Sequence, residues 1–367
     1  MNVSTRAVAV FWLLLALCLL PLTCSDHGTD PPPEPVDYVA YITDEFDTRH
    51  VYGYHVESGL IDTIWTGADA RWGIYVSPDG KRLYLASDAG VSVFDLGLDM
   101  VVHTIESHGT RGAALSPDGQ FLAVCASDFQ IVRTVDFSVA YSDTFELSAG
   151  SFTDDGRAFF GASGSVSGVY CVSFDGEDTV IAAVPTAAGL LKEVTRSCGD
   201  SLFYLNLTTG SFSSQLIALD PDTDSALYVE DVVPGHGDLQ MTPTGDMLFY
   251  TSPGTALFGP PTPRAFFVLD VPNLTRVATV STTGLINQNG DTVRYFNPSS
   301  LAITPDGRRL VVISGLTNAH FLVFDVATMK IERVISILDI PTPMLRDVAL
   351  PRHSQSSWRK QCVRCVN

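Results

Sequence analysis

The chain has 367 residues, of which 46% are hydrophobic and 17% charged, and its formal net charge is −19. A composition this apolar excludes a wholly disordered chain, and the length allows one large all-β domain or about two average domains. The acidic balance repels phosphate backbones, so nucleic acid is not expected as a partner.

The first segment predicted along the chain is an export signal. A positive charge at Arg6 precedes an apolar run from Ala7 to Leu22. A run of this length is short for a membrane span and typical of a signal peptide. We therefore predict a signal peptide over residues 1–23 and an exported protein.

A cysteine follows the apolar run and begins a polar, proline-rich segment. Cys24 and the stretch SDHGTDPPPEP resemble a bacterial lipoprotein processing site followed by a tether, over residues 24–36. Pro21 and Thr23 depart from the usual residues before a lipidated cysteine. The prediction is a lipid anchor at Cys24, through which alone the protein contacts the membrane of the bacterial cell envelope. The alternative is an ordinary secretory signal and a periplasmic or secreted protein.

Residues 37–353 contain two repeated patterns. One is an apolar strand followed by a tight turn: SPDG at Ser77 and Ser116, TDDG at Thr153, RSCG at Arg196, TPTG at Thr242, TPDG at Thr304 and a degenerate LPRH at Leu350. Proline presets φ in such turns and glycine accepts a positive φ. The other is a β-rich run ending in an acid, such as VSVFD at Asp95 and FLVFD at Asp325, repeated at spacings of 38 to 55 residues. Each unit therefore holds about four short strands, which is typical of propeller blades.

The segment from Lys81 to Gly119, KRLYLASDAGVSVFDLGLDMVVHTIESHGTRGAALSPDG, resembles one unit of the YVTN-type β-propellers. Weaker copies extend the resemblance from Val36 to His353. The resemblance implies an all-β, WD40-like propeller with seven four-stranded blades. The first unit lacks an inner strand, whereas an additional strand, Leu345 to Leu350, follows the last unit. We therefore predict that this C-terminal strand completes the first blade and hides its edge, and that residues 354–367 form a flexible tail.

Candidate binding residues lie on the strand before each turn or just upstream of it at the channel mouth, because this strand lines the channel of a propeller and alternate residues face it. The predicted channel-facing set includes Val348 and Leu350 beside several charged residues. The candidate ligand-binding residues are Arg71, Arg111, Lys192, Arg196, His236, Asp238 and Arg346. Arginine offers a two-pronged hydrogen bond to a carboxylate or phosphate, so the cations predict a small anionic ligand. The alternative is a set of solvated rim charges paired with Asp238, Glu193 and Asp347.

Other chemistry has little support in the sequence. Asp220, Asp222 and Asp224 resemble metal ligands in spacing, but an acid at a strand end also caps the following turn, and neither a metal site nor a cofactor is predicted. No G-x-S-x-G motif is present. Cys125, Cys171 and Cys198 are predicted as buried free thiols, with a Cys171–Cys198 disulfide left open. Cys362 and Cys365 belong to a local disulfide or to the tail.

The leading functional prediction is a non-enzymatic, monomeric, envelope-anchored propeller that binds a protein partner or a small anionic ligand at the channel mouth. The alternative comes from the resemblance to propellers of the phosphogluconolactonase kind. It implies a lactonase-type hydrolase of a sugar-acid lactone, with His236 and Arg346 in catalysis. A third reading, a quinoprotein-like electron-transfer subunit, lacks a cofactor motif.

Overall fold

Most of the chain between residues 36 and 351 is described by the computed structural model of the protein. The described residues are 36–44, 49–144, 146–147, 149–152, 158–162, 169–175, 178–184, 190–196, 202–210, 213–220, 225–232, 238–252, 264–293, 295–315, 319–337 and 345–351. Between residues 153 and 237 only a few side chains are described. The predicted signal peptide, Cys24 and the tail lie outside these residues.

The described residues form strands and turns without a helix, so they contain no helix that could cross a membrane. They build seven four-stranded antiparallel sheets and one two-stranded hairpin, which confirms the all-β prediction. The two middle strands of a sheet are buried on both faces, as in β5 (Arg82–Ser87). The outer strand alternates between exposed residues and half-buried or buried ones, as in β7 (Met100–Glu106).

We number the four-stranded sheets as blades in chain order. Blade 1 contains β1 (Val39–Asp44), β2 (His50–His55) and β3 (Ile61–Trp65), blade 2 contains β4 (Gly73–Val76), β5, β6 (Gly90–Asp95) and β7, and blade 3 contains β8 (Gly112–Leu115), β9 (Phe121–Cys125), β10 (Phe129–Arg133) and β11 (Val139–Asp143). Blade 4 contains β12 (Ala149–Phe152), β13 (Ala158–Ala162), β14 (Val169–Asp175) and β15 (Asp178–Val184), and blade 5 contains β16 (Leu190–Arg196), β17 (Phe203–Gly210), β18 (Ser213–Asp220) and β19 (Ser225–Val232). Blade 6 contains β20 (Leu239–Met241), β21 (Met247–Ser252), β22 (Ala265–Asp270) and β23 (Thr275–Ser281), and the hairpin of β24 (Leu285–Ile286) and β25 (Thr292–Val293) follows it. Blade 7 contains β26 (Pro298–Ile303), β27 (Arg309–Ser314), β28 (His320–Asp325) and β29 (Lys330–Ser336), and the last strand is β30 (Leu345–Ala349).

The last strand belongs to the first blade. β30 pairs antiparallel with β1, with Tyr41 opposite Ala349 and Thr43 opposite Asp347. The prediction that the C-terminal strand completes blade 1 is therefore confirmed. The inner strands of successive blades contact one another in the order β30, β4, β8, β12, β16, β20, β26 and back to β30, so they form a closed ring around a central channel.

Antiparallel order gives this ring two different ends. Every inner strand begins at the same end, which we call the upper end, because each blade alternates its strand direction. The tight turns after the inner strands lie at the lower end. Gly80 and Gly307 have φ values of 69° and 71° in these turns, as predicted from the repeated glycines. The Ser77 hydroxyl donates to the Asp79 carboxylate over 2.6 Å, and the corresponding distance from Thr304 to Asp306 is also 2.6 Å.

The core lies between neighbouring blades. Val348 and Leu350 pack with Ile313 and Phe321 of blade 7 in one buried cluster, so the prediction that these two residues face the channel is wrong. The physical reason is register, because Val348 and Leu350 correspond to Ile74 and Val76, which are buried as well, whereas the prediction had aligned Leu350 with Ser77. A β-bulge precedes these residues, since Leu345 pairs with Asp44 and Asp347 with Thr43, which leaves Arg346 as an extra residue.

Candidate ligand site at the upper end of the channel

Two acids and a serine occupy equivalent positions at the upper end of three adjacent blades. Asp238 begins the inner strand region of blade 6, Ser300 lies in β26 of blade 7, and Asp347 lies in β30 of blade 1. Each precedes a residue buried between blades, namely Leu239, Leu301 and Val348. The three polar residues therefore lie next to one another around the ring.

Hydrogen bonds join these three side chains and tie them to the neighbouring blades. The Ser300 Oγ atom is 2.9 Å from Asp238 Oδ2 and 2.7 Å from Asp347 Oδ1. Asp238 also accepts the N–H of Leu301 over 2.6 Å, and Asp347 accepts the N–H of Ile74 over 3.0 Å. Each carboxylate thus accepts a backbone hydrogen bond from the next blade in the ring. We call Asp238, Ser300 and Asp347 the interblade triad.

The environment of the triad disfavours two full negative charges. Burial and the neighbouring Asp347 charge raise the pKa of Asp238 to about 7, although hydrogen bonds from Leu301, Ser300 and Leu239 oppose this rise. Burial also raises the pKa of Asp347, against hydrogen bonds and the charge of Arg346. The pair therefore includes a group that takes up or releases a proton near neutral pH.

Arg346 is presented beside the triad by the β-bulge of β30. Its guanidinium carbon lies 5.4 Å from the centroid of the Trp72 ring, a cation–π arrangement. The Trp72 indole N–H donates to Asp88 over 2.5 Å. Bulges re-aim side chains and occur next to functional sites, and here the bulge brings a cation from blade 1 against an aromatic residue that precedes the inner strand of blade 2.

The two other predicted arginines with described side chains are paired with acids. Arg71 Nη1 is 3.2 Å from Asp88 Oδ2, and Arg111 Nη2 is 3.0 Å from Glu146 Oε1. The side chains of Arg71 and Arg111 are 52% and 55% exposed, so such pairs contribute only about 0–1 kcal/mol each. This geometry fits the alternative of solvated rim charges, with acidic partners other than those named from the sequence.

The remaining predicted residues are described in part or not at all. His236 and the side chains of Lys192 and Arg196 lie outside the described residues. In the backbone, Lys192 is the extra residue between Leu191 and Glu193, a bulge at the position that Arg346 has in β30. Arg196 pairs with Phe203, as Met241 pairs with Leu248 in blade 6.

Sequence reasoning missed Trp72, and it placed Ser300 and Tyr75 only in the channel-facing set, without a role in binding. The Tyr75 hydroxyl accepts the backbone N–H of Ala113 in blade 3 over 2.9 Å, a link between blades 2 and 3 like those made by the acids. Gly73 makes room for it, because a Cβ atom there would lie 2.9 Å from the Tyr75 oxygen and 3.2 Å from Asp347 Oδ2. The sequence indicated these contacts only through position in the repeat, because Gly73 precedes the turn at Ser77 by as many residues as Asp238 precedes the turn at Thr242.

The described part of the chain contains no cluster of side chains that indicates metal binding or thiol chemistry. Within those residues, no group of three or more His, Cys, Asp or Glu side chains is arranged to hold a metal ion. Cys125 is buried and is not part of a disulfide, as predicted. Cys198, Cys362, Cys365 and the side chain of Cys171 lie outside the described residues.

Comparisons with known proteins support the fold. No protein-family model and no curated protein matches the chain. A putative 6-phosphogluconolactonase from Bacteroides uniformis is similar in structure with a TM-score of 0.63 and 15% identity, covering 86% of this chain and 100% of that one. The Cps50 (Swd1) β-propeller domain of Myceliophteria thermophila has a TM-score of 0.58 and 13% identity over 77% of this chain and 91% of that one. Hydrazine synthase of Kuenenia stuttgartiensis has a TM-score of 0.56 and 19% identity over 69% and 76%.

Identities this low show the fold alone. With the closed ring of four-stranded sheets, they confirm the predicted all-β propeller. Membership of the YVTN-type family stays a prediction. The chain is a β-propeller whose upper end carries Arg346 beside the interblade triad.

Proposed function

We propose that the protein is an exported, lipid-anchored β-propeller that binds a small hydroxylated organic anion at the upper end of its channel, without catalysing a reaction. The observation that carries this proposal is the placement of Arg346, which a bulge presents beside the interblade triad and against Trp72. A cation–π contact holds the guanidinium over the aromatic ring, and its N–H donors can form two parallel hydrogen bonds with a carboxylate.

The triad favours a hydroxylated ligand over a simple anion. Asp347 lies near the charge of Arg346 and is joined to Asp238 through Ser300, and carboxylate oxygens accept hydrogen bonds from hydroxyl groups. A sugar acid or a hydroxy acid combines both features, because its carboxylate pairs with Arg346 while its hydroxyl groups donate to the acids. Acetate and inorganic phosphate lack hydroxyl groups arranged in this way, so they should bind more weakly.

Calorimetric titration with gluconate, tartrate, acetate and phosphate tests this proposal. Arg346→Gln should weaken gluconate binding at least tenfold, because a charge-assisted hydrogen bond contributes about 1.5–3 kcal/mol. Arg276→Gln is the matched control, since Arg276 also stacks on an aromatic ring, that of Phe267, at 4.5 Å but on the outer strand of blade 6. Equal affinities of the wild type and Arg346→Gln, or no binding of any of these anions, would contradict the proposed anion site.

The anchor is a separate part of the proposal and rests on the sequence around Cys24. Metabolic labelling with a radioactive fatty acid should mark the wild type and Cys362→Ala, but not Cys24→Ala. Equal labelling of all three proteins, or of none, would leave a secreted or periplasmic protein.

We also propose a monomer, which light scattering of the purified protein tests. A pull-down from native membranes tests the alternative of a protein partner.

A lactonase-type hydrolase is the second candidate, and one observation favours it. Asp238, with a pKa of about 7, suits a general acid or base at neutral pH, and the Bacteroides uniformis protein shows that lactonase candidates share the fold. Release of protons from gluconolactone above the spontaneous rate, lost in Asp238→Asn and in Arg346→Gln, would establish catalysis. A rate equal to that without protein would exclude hydrolysis of this lactone.

A further inference from the structure

One hydroxyl group serves two carboxyl groups in the interblade triad. Ser300 Oγ is within hydrogen-bond distance of both Asp238 Oδ2, at 2.9 Å, and Asp347 Oδ1, at 2.7 Å. A serine hydroxyl has a single proton, so it donates to one acceptor at a time. The other carboxyl oxygen then faces a lone pair of the serine oxygen, which is repulsive unless that carboxyl carries a proton. The geometry therefore calls for one proton shared by the pair.

The surroundings place this proton on Asp238. The neighbouring guanidinium of Arg346 favours the charged form of Asp347. A protonated Asp238 then donates to Ser300, and Ser300 donates to the Asp347 carboxylate. In this arrangement each short contact has one donor and one acceptor.

The triad holds the strand that closes the ring. β30 is joined to blade 1 by pairing with β1 alone, and it follows blade 7 in the chain, so it can leave blade 1 without disturbing the other three strands of that blade. Asp347 fixes it on both sides, through Ser300 of blade 7 and through the N–H of Ile74 in blade 2. Asp238 holds blade 7 from the other side through the N–H of Leu301.

We propose that Asp238, Ser300 and Asp347 form a proton-dependent lock on ring closure, which is tight while the pair holds one proton and loosens when that proton passes to solvent. Loss of the proton leaves two carboxylates with one hydroxyl between them. The inference concerns the ring itself and does not depend on the proposed ligand.

Other charged and titratable groups surround the lock. On the elements packed around the triad they are Arg346 of β30 itself, Asp44 opposite Leu345 on β1, Tyr75 of β4, and Arg71 and Asp88 beside Trp72. The sequence of β16 also contains Lys192, Glu193 and Arg196, whose side chains lie outside the described residues. Arg346 is adjacent to Asp347 in the chain and favours its charged form. The negative charge of Asp347 in turn disfavours ionisation of Asp238.

The direction of the pH effect follows from the two states of the pair. When the strand is released, the acids titrate near their ordinary pKa of about 4, whereas in the closed ring the pKa of Asp238 is raised to about 7. Closure thus takes up a proton between these values. The closed state loses stability as the pH rises through this window, by at most about tenfold in the closing equilibrium per pH unit, and changes little above it.

Hydrogen exchange tests the lock with an internal control. The backbone N–H groups of Ile74 and Leu301 are bonded to the acids, whereas that of Ala113 is bonded to the Tyr75 hydroxyl. Exchange is measured between pH 5 and 7 and corrected for the intrinsic rate. Protection of Ile74 and Leu301 should fall by several-fold to tenfold per pH unit, and protection of Ala113 by less than twofold.

A variant removes the shared proton. Asp238→Asn is neutral at every pH, so the pH dependence of Ile74 and Leu301 protection should fall well below that of the wild type, with Asp347 as the acid that still titrates. Asp306→Asn, which changes an acid in a lower-end turn, should keep it. The lock is refuted if the three amide groups of the wild type respond alike to pH, or if Asp238→Asn responds as the wild type does. The wild-type measurement decides the matter should Asp238→Asn not fold.

Discussion

Tyr75→Phe isolates a single hydrogen bond between two blades. The Tyr75 hydroxyl is the acceptor for the N–H of Ala113, at 2.9 Å. Ala113 is 8% exposed, so after the substitution its N–H has little access to water. The aromatic ring stays, and with it the packing of Tyr75 against the hydrophobic cluster of blades 2 and 3.

The stability lost in Tyr75→Phe depends on how deeply the N–H of Ala113 is buried. A buried donor left without an acceptor costs about 1–3 kcal/mol. Tyr75 is itself partly exposed, which lets the site relax, so we expect a loss of about 1–2 kcal/mol in the free energy of unfolding. Tyr141→Phe is the matched control, because the Tyr141 hydroxyl donates to Asp143 over 2.9 Å on an outer strand. That variant should lose less than about 0.5 kcal/mol.

Equilibrium unfolding in urea, followed by far-ultraviolet circular dichroism, measures both variants. A shift in midpoint with an unchanged slope would report stability alone. The reasoning fails if Tyr75→Phe and Tyr141→Phe lose the same free energy, since a buried interblade bond would then be worth no more than a surface one.

A double-mutant cycle extends the test to Gly73. Gly73→Ala should destabilise the wild type, because the new Cβ atom would lie 2.9 Å from the Tyr75 oxygen and the residue has a φ of 140°. In the Tyr75→Phe background the contact with oxygen is gone, so the same change should cost less, while the backbone strain stays. Costs that are equal in the two backgrounds would show that the Tyr75 oxygen contributes nothing and that the effect comes from the backbone and the contacts with Asp347 and the aromatic ring.

Two further changes probe ring closure. Deleting residues 345–367 removes β30 and should abolish cooperative thermal unfolding. A chain that stops after His353 keeps β30 and should melt as the full-length protein does. Cooperative melting of the chain that lacks residues 345–367 would contradict the observed pairing of β30 with β1. Arg309→Met removes two ion pairs, one with Glu57 that joins blades 7 and 1 and one with Glu332 within blade 7. Because the Arg309 side chain is only 22% exposed, we expect a loss of about 1–2 kcal/mol in urea unfolding. Lys81→Met is the control, because the Lys81 side chain is 77% exposed, and it should leave the free energy of unfolding unchanged. If the loss of stability in Arg309→Met does not depend on salt concentration, its origin is not electrostatic.

The sequence by itself determined the strands, the turns and the closure of blade 1. The residues that form a turn such as Ser77 to Gly80 lie next to one another in the chain, so proline, glycine and a short acid fix its geometry locally. Alternation of apolar residues then sets each strand. Blade 1 was predicted correctly because its unit lacked an inner strand and the chain had one to spare at its end.

Only the tertiary structure decided which side chains meet at the upper end. The bulges at Arg346 and Lys192 have no sequence signature, since any residue type can be the extra one. Ser300 lies 62 residues from Asp238 and 47 from Asp347 in the chain, and local preferences do not act over such distances. The ring brings these residues together because it places equivalent positions of successive blades side by side. The protonation of the acids follows from that placement, since burial and the neighbouring charge exist only once the ring is closed.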